Sequence, residues 1–199
     1  MAVKTISFPK GRGHLTHNNR DFICNNVVTE RTAWNQIYMQ ESLKDAYEKC
    51  FGQALRDYNA TQKRKDRQKN DYLKEIENSG NKEKTFYENI VQIGKKTGTP
   101  VADENGVMTE AAKAAIEVLD RYARTFQERN PNLYLFNCVM HLDVKYSIVL
   151  IVYGVYRVRE KRRIGTTYTN RKKNLYDVTW KRIRKILKSG IGSGSFFMP

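Results

Sequence analysis

Apolar positions along the chain fall into a few clear periods. Leu43, Ala46, Tyr47, Cys50, Phe51, Ala54, Leu55 and Tyr58 repeat at helical spacing. They predict an amphipathic helix over residues 42–58, with Ser42 as its N-cap. Ala112, Ala115, Ile116, Leu119, Tyr122, Ala123 and Phe126 repeat in the same way behind Thr109. They predict a second capped helix over 110–128, which Pro131 keeps from continuing. Residues 133–142 (LYLFNCVMHL) are nearly unbroken in apolarity, as expected of a central strand buried on both faces. Residues 3–8 and 85–93 read as further strands, and 21–28 as a strand or extended segment. The charged stretch 62–78 predicts a solvated helix with Tyr72, Leu73 and Ile76 turned inward, broken at Ser79-Gly80-Asn81. Residues 10–20 (KGRGHLTHNNR) and 94–106 read as loops. This order implies an α+β fold, a sheet with helices packed against it.

Charge adds a second pattern. The chain has 199 residues, with 36 Lys+Arg against 21 Asp+Glu, a net charge of +15. That excess suits a polyanionic partner, most often nucleic acid. It is unevenly spread: residues 1–143 carry 22 basic and 19 acidic residues, and 144–199 carry 14 and 2. The expected organisation is therefore a domain over 1–143 and a basic C-terminal segment over 144–199. Within that segment, 146–156 (YSIVLIVYGVY) is strongly β-prone, suited to a neighbouring strand position and too short to span a bilayer as a helix. Residues 177–188 read as a basic amphipathic helix. Three cysteines without a C-x-x-C pair argue against a disulfide framework or a zinc knuckle. With no apolar run near the start, the expected setting is cytoplasmic.

Candidate chemistry lies in two places. His17 stands in His17-Asn18-Asn19-Arg20, where an imidazole beside an asparagine and an arginine suits work on a phosphodiester. His141-Leu142-Asp143 closes the buried run, and its spacing puts imidazole and carboxylate on one strand face, half of a divalent-metal site. Lys10, Arg12, Arg20 and Arg31 are the candidate DNA-binding cations.

Together these segments resemble a known family. His17-Asn18-Asn19-Arg20, then Asn26-Val27-Val28-Thr29-Glu30-Arg31-Thr32 and Asn35-Gln36-Ile37-Tyr38, resemble the N-terminal motifs of the plasmid recombination and mobilization (Pre/Mob, MobV-type) relaxases. Residues 62–67 (QKRKDR), 86–94 (FYENIVQIG), 126–132 (FQERNPN) and 139–143 (VMHLD) resemble that family's linking text, so the likeness covers about 1–143. The resemblance implies a protein that binds origin-of-transfer DNA in conjugation and recombination. It would nick one strand by metal-assisted transesterification and remain joined to the 5′ phosphate. It implies His17 as nucleophile, Asn18 and Arg20 as its helpers, and His141 and Asp143 as ligands of manganese or magnesium. It also implies an HUH-type sheet with the metal-bearing strand at its centre and helices on one side, and a homodimer in the full-length family.

The likeness stops after Asp143. The family pattern continues with Glu, two residues and Pro-His-x-His, whereas this chain reads Val144-Lys145-Tyr146-Ser147-Ile148-Val149-Leu150-Ile151. The expectation is a truncated, impaired relaxase domain, its tail arising by frameshift, fusion or insertion. The alternative is a non-catalytic basic nucleic-acid-binding protein.

Overall fold

The computed structural model describes residues 6–9, 11, 14–80, 84–94, 100–145 and 147–156. These belong to one compact unit, Met1–Lys161. Five strands form one antiparallel sheet: β1 (Ile6–Ser7), β2 (Gln36–Gln40), β3 (Tyr87–Ile93), β4 (Leu133–His141) and β5 (Ile148–Tyr156), in the order β1-β3-β5-β4-β2. The helices are α1 (Leu15–Asn18), α2 (Leu43–Thr61), α3 (Tyr72–Glu77), α4 (Glu110–Arg124) and α5 (Phe126–Arg129). The α+β expectation holds.

The middle strand is β5, paired to β3 from Ile93↔Ile148 to Tyr87↔Gly154 and to β4 from His141↔Val149 to Leu133↔Tyr156. The charge boundary at Val144 thus does not mark an edge of the sheet. Alternation along β5 explains how it holds the interior position. Ile148, Leu150 and Val152 enter one buried cluster, with Leu119, Tyr122 and Phe126 of α4 and α5. Val149, Ile151 and Tyr153 face the other, with Tyr47 and Phe51 of α2. An apolar strand facing helices on both sides is what a continuous hydrophobic run requires. Each large side chain buried this way contributes about 1.5–3 kcal/mol.

Helices therefore cover both faces of the sheet, not the one side that the resemblance implies. The candidate metal strand, β4, lies beside the centre rather than at it.

Both predicted N-caps form. Ser42 Oγ accepts from the Asp45 N–H at 3.0 Å, and Thr109 Oγ1 from the Ala112 N–H at 3.1 Å. The second helix divides at Thr125, whose hydroxyl bonds back to the Arg121 carbonyl at 2.8 Å. The charged stretch 62–78 is not one helix. Only α3 is α-helical, capped by Asp71, and Tyr72, Leu73 and Ile76 pack on the α2 side as expected. Residues 21–28 contribute only an isolated bridge, Val27↔Val144. β2 and the 3-10 helix Thr29–Trp34 were not expected from the pattern. Of the expected strand 3–8, residues 6–8 are described. The expected helix 177–188 lies outside the described residues.

Candidate functional site

Buried polar groups locate the site. The fully buried polar and charged residues among the described ones are Asn18, Asn137, His141, Asp143 and Ser147, and four of these five belong to one network. Three local structures bring its parts together across more than a hundred residues of chain.

The first is α1, inside the expected 10–20 loop. It ends in a Schellman turn: the Asp21 N–H bonds to the Thr16 carbonyl at 2.9 Å and the Arg20 N–H to the His17 carbonyl at 3.2 Å. Arg20 takes the left-handed position with φ +60°, where glycine is usual. The left-handed backbone costs a non-glycine residue about 1–2 kcal/mol. The side chain accounts for an arginine there. Arg20 Nε and Nη2 grip both oxygens of Asp143 at 2.8 and 2.5 Å, and Nη1 donates to the His17 carbonyl at 2.9 Å.

The second is the β4–β5 connection. The Val28 N–H bonds to the Asp143 carbonyl at 2.7 Å and the Lys145 N–H to the Asn26 carbonyl at 3.1 Å, which pins residues 24–35 beside Asp143. Asn35 then donates Nδ2–H to Asp143 Oδ2 at 2.8 Å, while its Oδ1 accepts from the Leu142 and Asp143 N–H groups at 2.8 and 3.2 Å. Thr32 Oγ1 lies 3.4 Å from the same carboxylate. Burial alone would raise the Asp143 carboxyl. The Arg20 guanidinium, with Asn35, outweighs it and holds that group well below the ordinary carboxylate range.

A β-bulge in β4, between Leu135 and Asn137, aims the third component. Asn137 Nδ2 donates to Asn19 Oδ1 at 2.7 Å, and Asn18 Nδ2 donates to Asn137 Oδ1 at 2.7 Å. Asn18 Oδ1 is thereby left to accept from His141 Nε2, 2.6 Å away. This order of donors assigns the proton of neutral His141 to Nε2. Its Nδ1 is buried without a hydrogen-bond partner, 3.6 Å from Asp143 Oδ1. Burial lowers the His141 pKa, with the Asp143 contact acting in the opposite sense. Replacing Asn18 by Leu strands two buried polar groups, His141 Nε2–H and Asn137 Oδ1. The expected cost is about 1–3 kcal/mol for each, read by urea denaturation; a variant as stable as wild type would contradict this network.

The other candidates occupy distinct positions. His17 is half-buried, its Nδ1 3.2 Å from Cys24 Sγ. Burial lowers its pKa, and Arg20 and His14 lower it further, so its neutral form is available near pH 7. Asn18 is buried as a strut rather than displayed. Arg20 spends its guanidinium on Asp143 and His17. Arg31 is half-buried, its side chain without a hydrogen bond or ion pair among the described residues. Lys10 and Arg12 lie outside the described residues. Asn35, Asn137, Thr32 and Cys24 were not among the expected site residues. Asn137 had a readable signal, a single amide within an apolar strand.

The manganese or magnesium site that the resemblance implies does not fit these residues. Both Asp143 oxygens are held by Arg20, and His141 Nε2 is committed to Asn18. Directly paired residues share a sheet face, so the β5 positions nearest His141 on its face are Val149 and Ile151, which have no ligating atom; Tyr153, further along that face, donates its hydroxyl to Glu88 at 2.6 Å. Among the described residues no group of three His, Cys, Asp or Glu side chains is placed to hold a metal ion. No described helix is long and apolar enough to cross a membrane. No family model matches the chain, and no curated protein or solved structure matches it.

Proposed function

We propose that this chain is a DNA-binding protein of the Pre/Mob relaxase type, acting in plasmid mobilization or recombination, with its metal-assisted nicking step impaired. The observation that carries this reading is the meeting of His17-Asn18-Asn19-Arg20 with His141-Leu142-Asp143 through Asn18–His141 and Arg20–Asp143. The segment expected to act on a phosphodiester and the segment expected to hold metal, joined by contacts that span 123 residues, become one polar centre. What this reading takes from the HUH type is an antiparallel sheet with His141 on an interior strand; the off-centre position of β4 and the helices on both faces depart from that type.

In this reading the family's roles divide. His17, half-exposed and favoured in its neutral form, stands at the DNA as the nucleophile candidate. Asn18 and Arg20 position the segment that carries it. A second reading, a non-catalytic nucleic-acid-binding protein, is favoured by the ion pair itself: Arg20 and Asp143 neutralise each other where the family would place a metal ligand. The test is incubation of the full chain with supercoiled plasmid bearing a cognate origin. The expected result is retention of origin plasmid with EDTA present, and little or no relaxation with manganese. Relaxation with a covalent adduct that His17→Ala abolishes would establish an intact enzyme and overturn the impairment. Equal retention of plasmids with and without the origin would overturn the mobilization reading.

A further inference from the structure

We propose that residues 63–68, between α2 and α3, form a phosphate-binding element for a nucleic-acid backbone, separate from the His17–Asp143 centre. The stretch from 63 to 69 holds five cations and one acid. Two cations are internally committed: Arg64 grips both oxygens of Asp66 at 3.0 and 2.6 Å, and Lys69 pairs with Glu75. Lys63, Lys65 and Arg67 are exposed, and none makes a side-chain hydrogen bond or ion pair among the described residues.

The loop that displays them is clamped. Asn59, in the last turn of α2, accepts the Lys69 N–H on Oδ1 at 2.9 Å and donates Nδ2–H to the Lys69 carbonyl at 2.8 Å. Inside the loop, the Arg67 N–H bonds to the Arg64 carbonyl at 3.2 Å and the Gln68 N–H to the Lys65 carbonyl at 3.1 Å. A loop ordered in advance loses less conformational freedom when a ligand arrives. Residues 62–69 contain no apolar side chain to insert into a bilayer, so the chemistry favours a phosphate backbone over a lipid surface. Complementing the negative end of α2 is a purely structural role open to the same charges. It predicts a change in stability without a change in DNA binding.

The probe is a random-sequence 20-nucleotide single strand, titrated against the full chain by fluorescence anisotropy over a range of salt. This choice keeps the inference separate from origin recognition: a chain that binds this strand but does not prefer origin DNA refutes the proposed function and leaves the loop intact. Each phosphate contact on a single strand contributes about 0.7 to the slope of log K against log salt. Lys63→Gln/Lys65→Gln/Arg67→Gln should therefore bind with a slope shallower by about 2, and about a hundredfold more weakly at 0.1 M salt. Asn59→Ala keeps every charge, so it should bind severalfold more weakly with the slope unchanged. A triple variant with wild-type slope and affinity would overturn the proposal. So would a triple variant altered only in thermal stability, or only in binding to anionic vesicles.

Discussion

Arg20→Ala is expected to lower the stability of the folded chain by about 3–5 kcal/mol, because it leaves a fully buried carboxylate without its partner. For a domain of this size that is a fall in melting temperature of roughly 10 °C. Two controls separate the ion pair from the backbone. Arg20→Gly also removes the guanidinium but relieves the left-handed conformation, so it should be less destabilising than Ala by about 1 kcal/mol. Arg20→Ala/Asp143→Asn removes both charges and should be more stable than Arg20→Ala alone, the signature of coupled groups. The pH dependence has a definite sign. Asp143 titrates below its unfolded value, so its stabilisation is complete above the unfolded pKa of about 3.9. It is lost as pH falls below that value. Without Arg20, burial raises the Asp143 carboxyl of the variant, so the gap between wild type and Arg20→Ala should be widest near neutral pH and narrow steadily as acid protonates that unpaired carboxylate. Equal stability of Arg20→Ala and wild type at pH 7 would contradict the pair.

A chain ending at Asp143 is expected not to fold at all. It keeps every element that the charge pattern assigns to the first domain but loses β5, which pairs on both sides with β3 and β4. Val91 and Ile93 of β3 and Cys138 and Met140 of β4 then lose the strand that joins them into one cluster. Circular dichroism and urea titration should show no cooperative unfolding. Leu150→Asp, a charge at a fully buried position in the middle of the same strand, should give nearly the same result in the full-length chain. A cooperative, native-like melt of the 1–143 chain would show that β5 is dispensable and that the charge boundary is also a folding boundary.

How much of this was legible beforehand follows from what each pattern reports. α2 and α4 are long, half-solvated helices, so their apolar stripes and capping residues stood out. β4 and β5 were visible as apolar runs. Charge said nothing about their pairing, because net charge along a chain does not report which strand lies beside which. β2 (QIYMQ) is a five-residue edge strand with Ile37 and Met39 exposed, and so carries little apolar alternation. α1 has four residues, too few to show a helical period, and its buried residue, Asn18, is held by Asn137 and His141 from the far side of the chain. The stretch 62–78 looked helical by composition, but Asn59 closes a loop there through two side-chain bonds that no local propensity announces.

The site was legible as residue types and illegible as pairings. The sequence points to His17, Arg20, His141 and Asp143, but it suggests phosphate for Arg20 and metal for Asp143. In the fold they hold each other. Asn35 and Asn137 decide that outcome, and their partners lie between 107 and 119 residues away along the chain.

The most direct test of the central claim is the affinity of the full chain for a labelled single-stranded origin hairpin, measured against a scrambled strand of the same length in EDTA at 0.15 M salt. The account predicts binding to the origin strand at least tenfold tighter than to the scrambled one, without added metal. Equal affinities, or a preference that appears only with manganese, would contradict it.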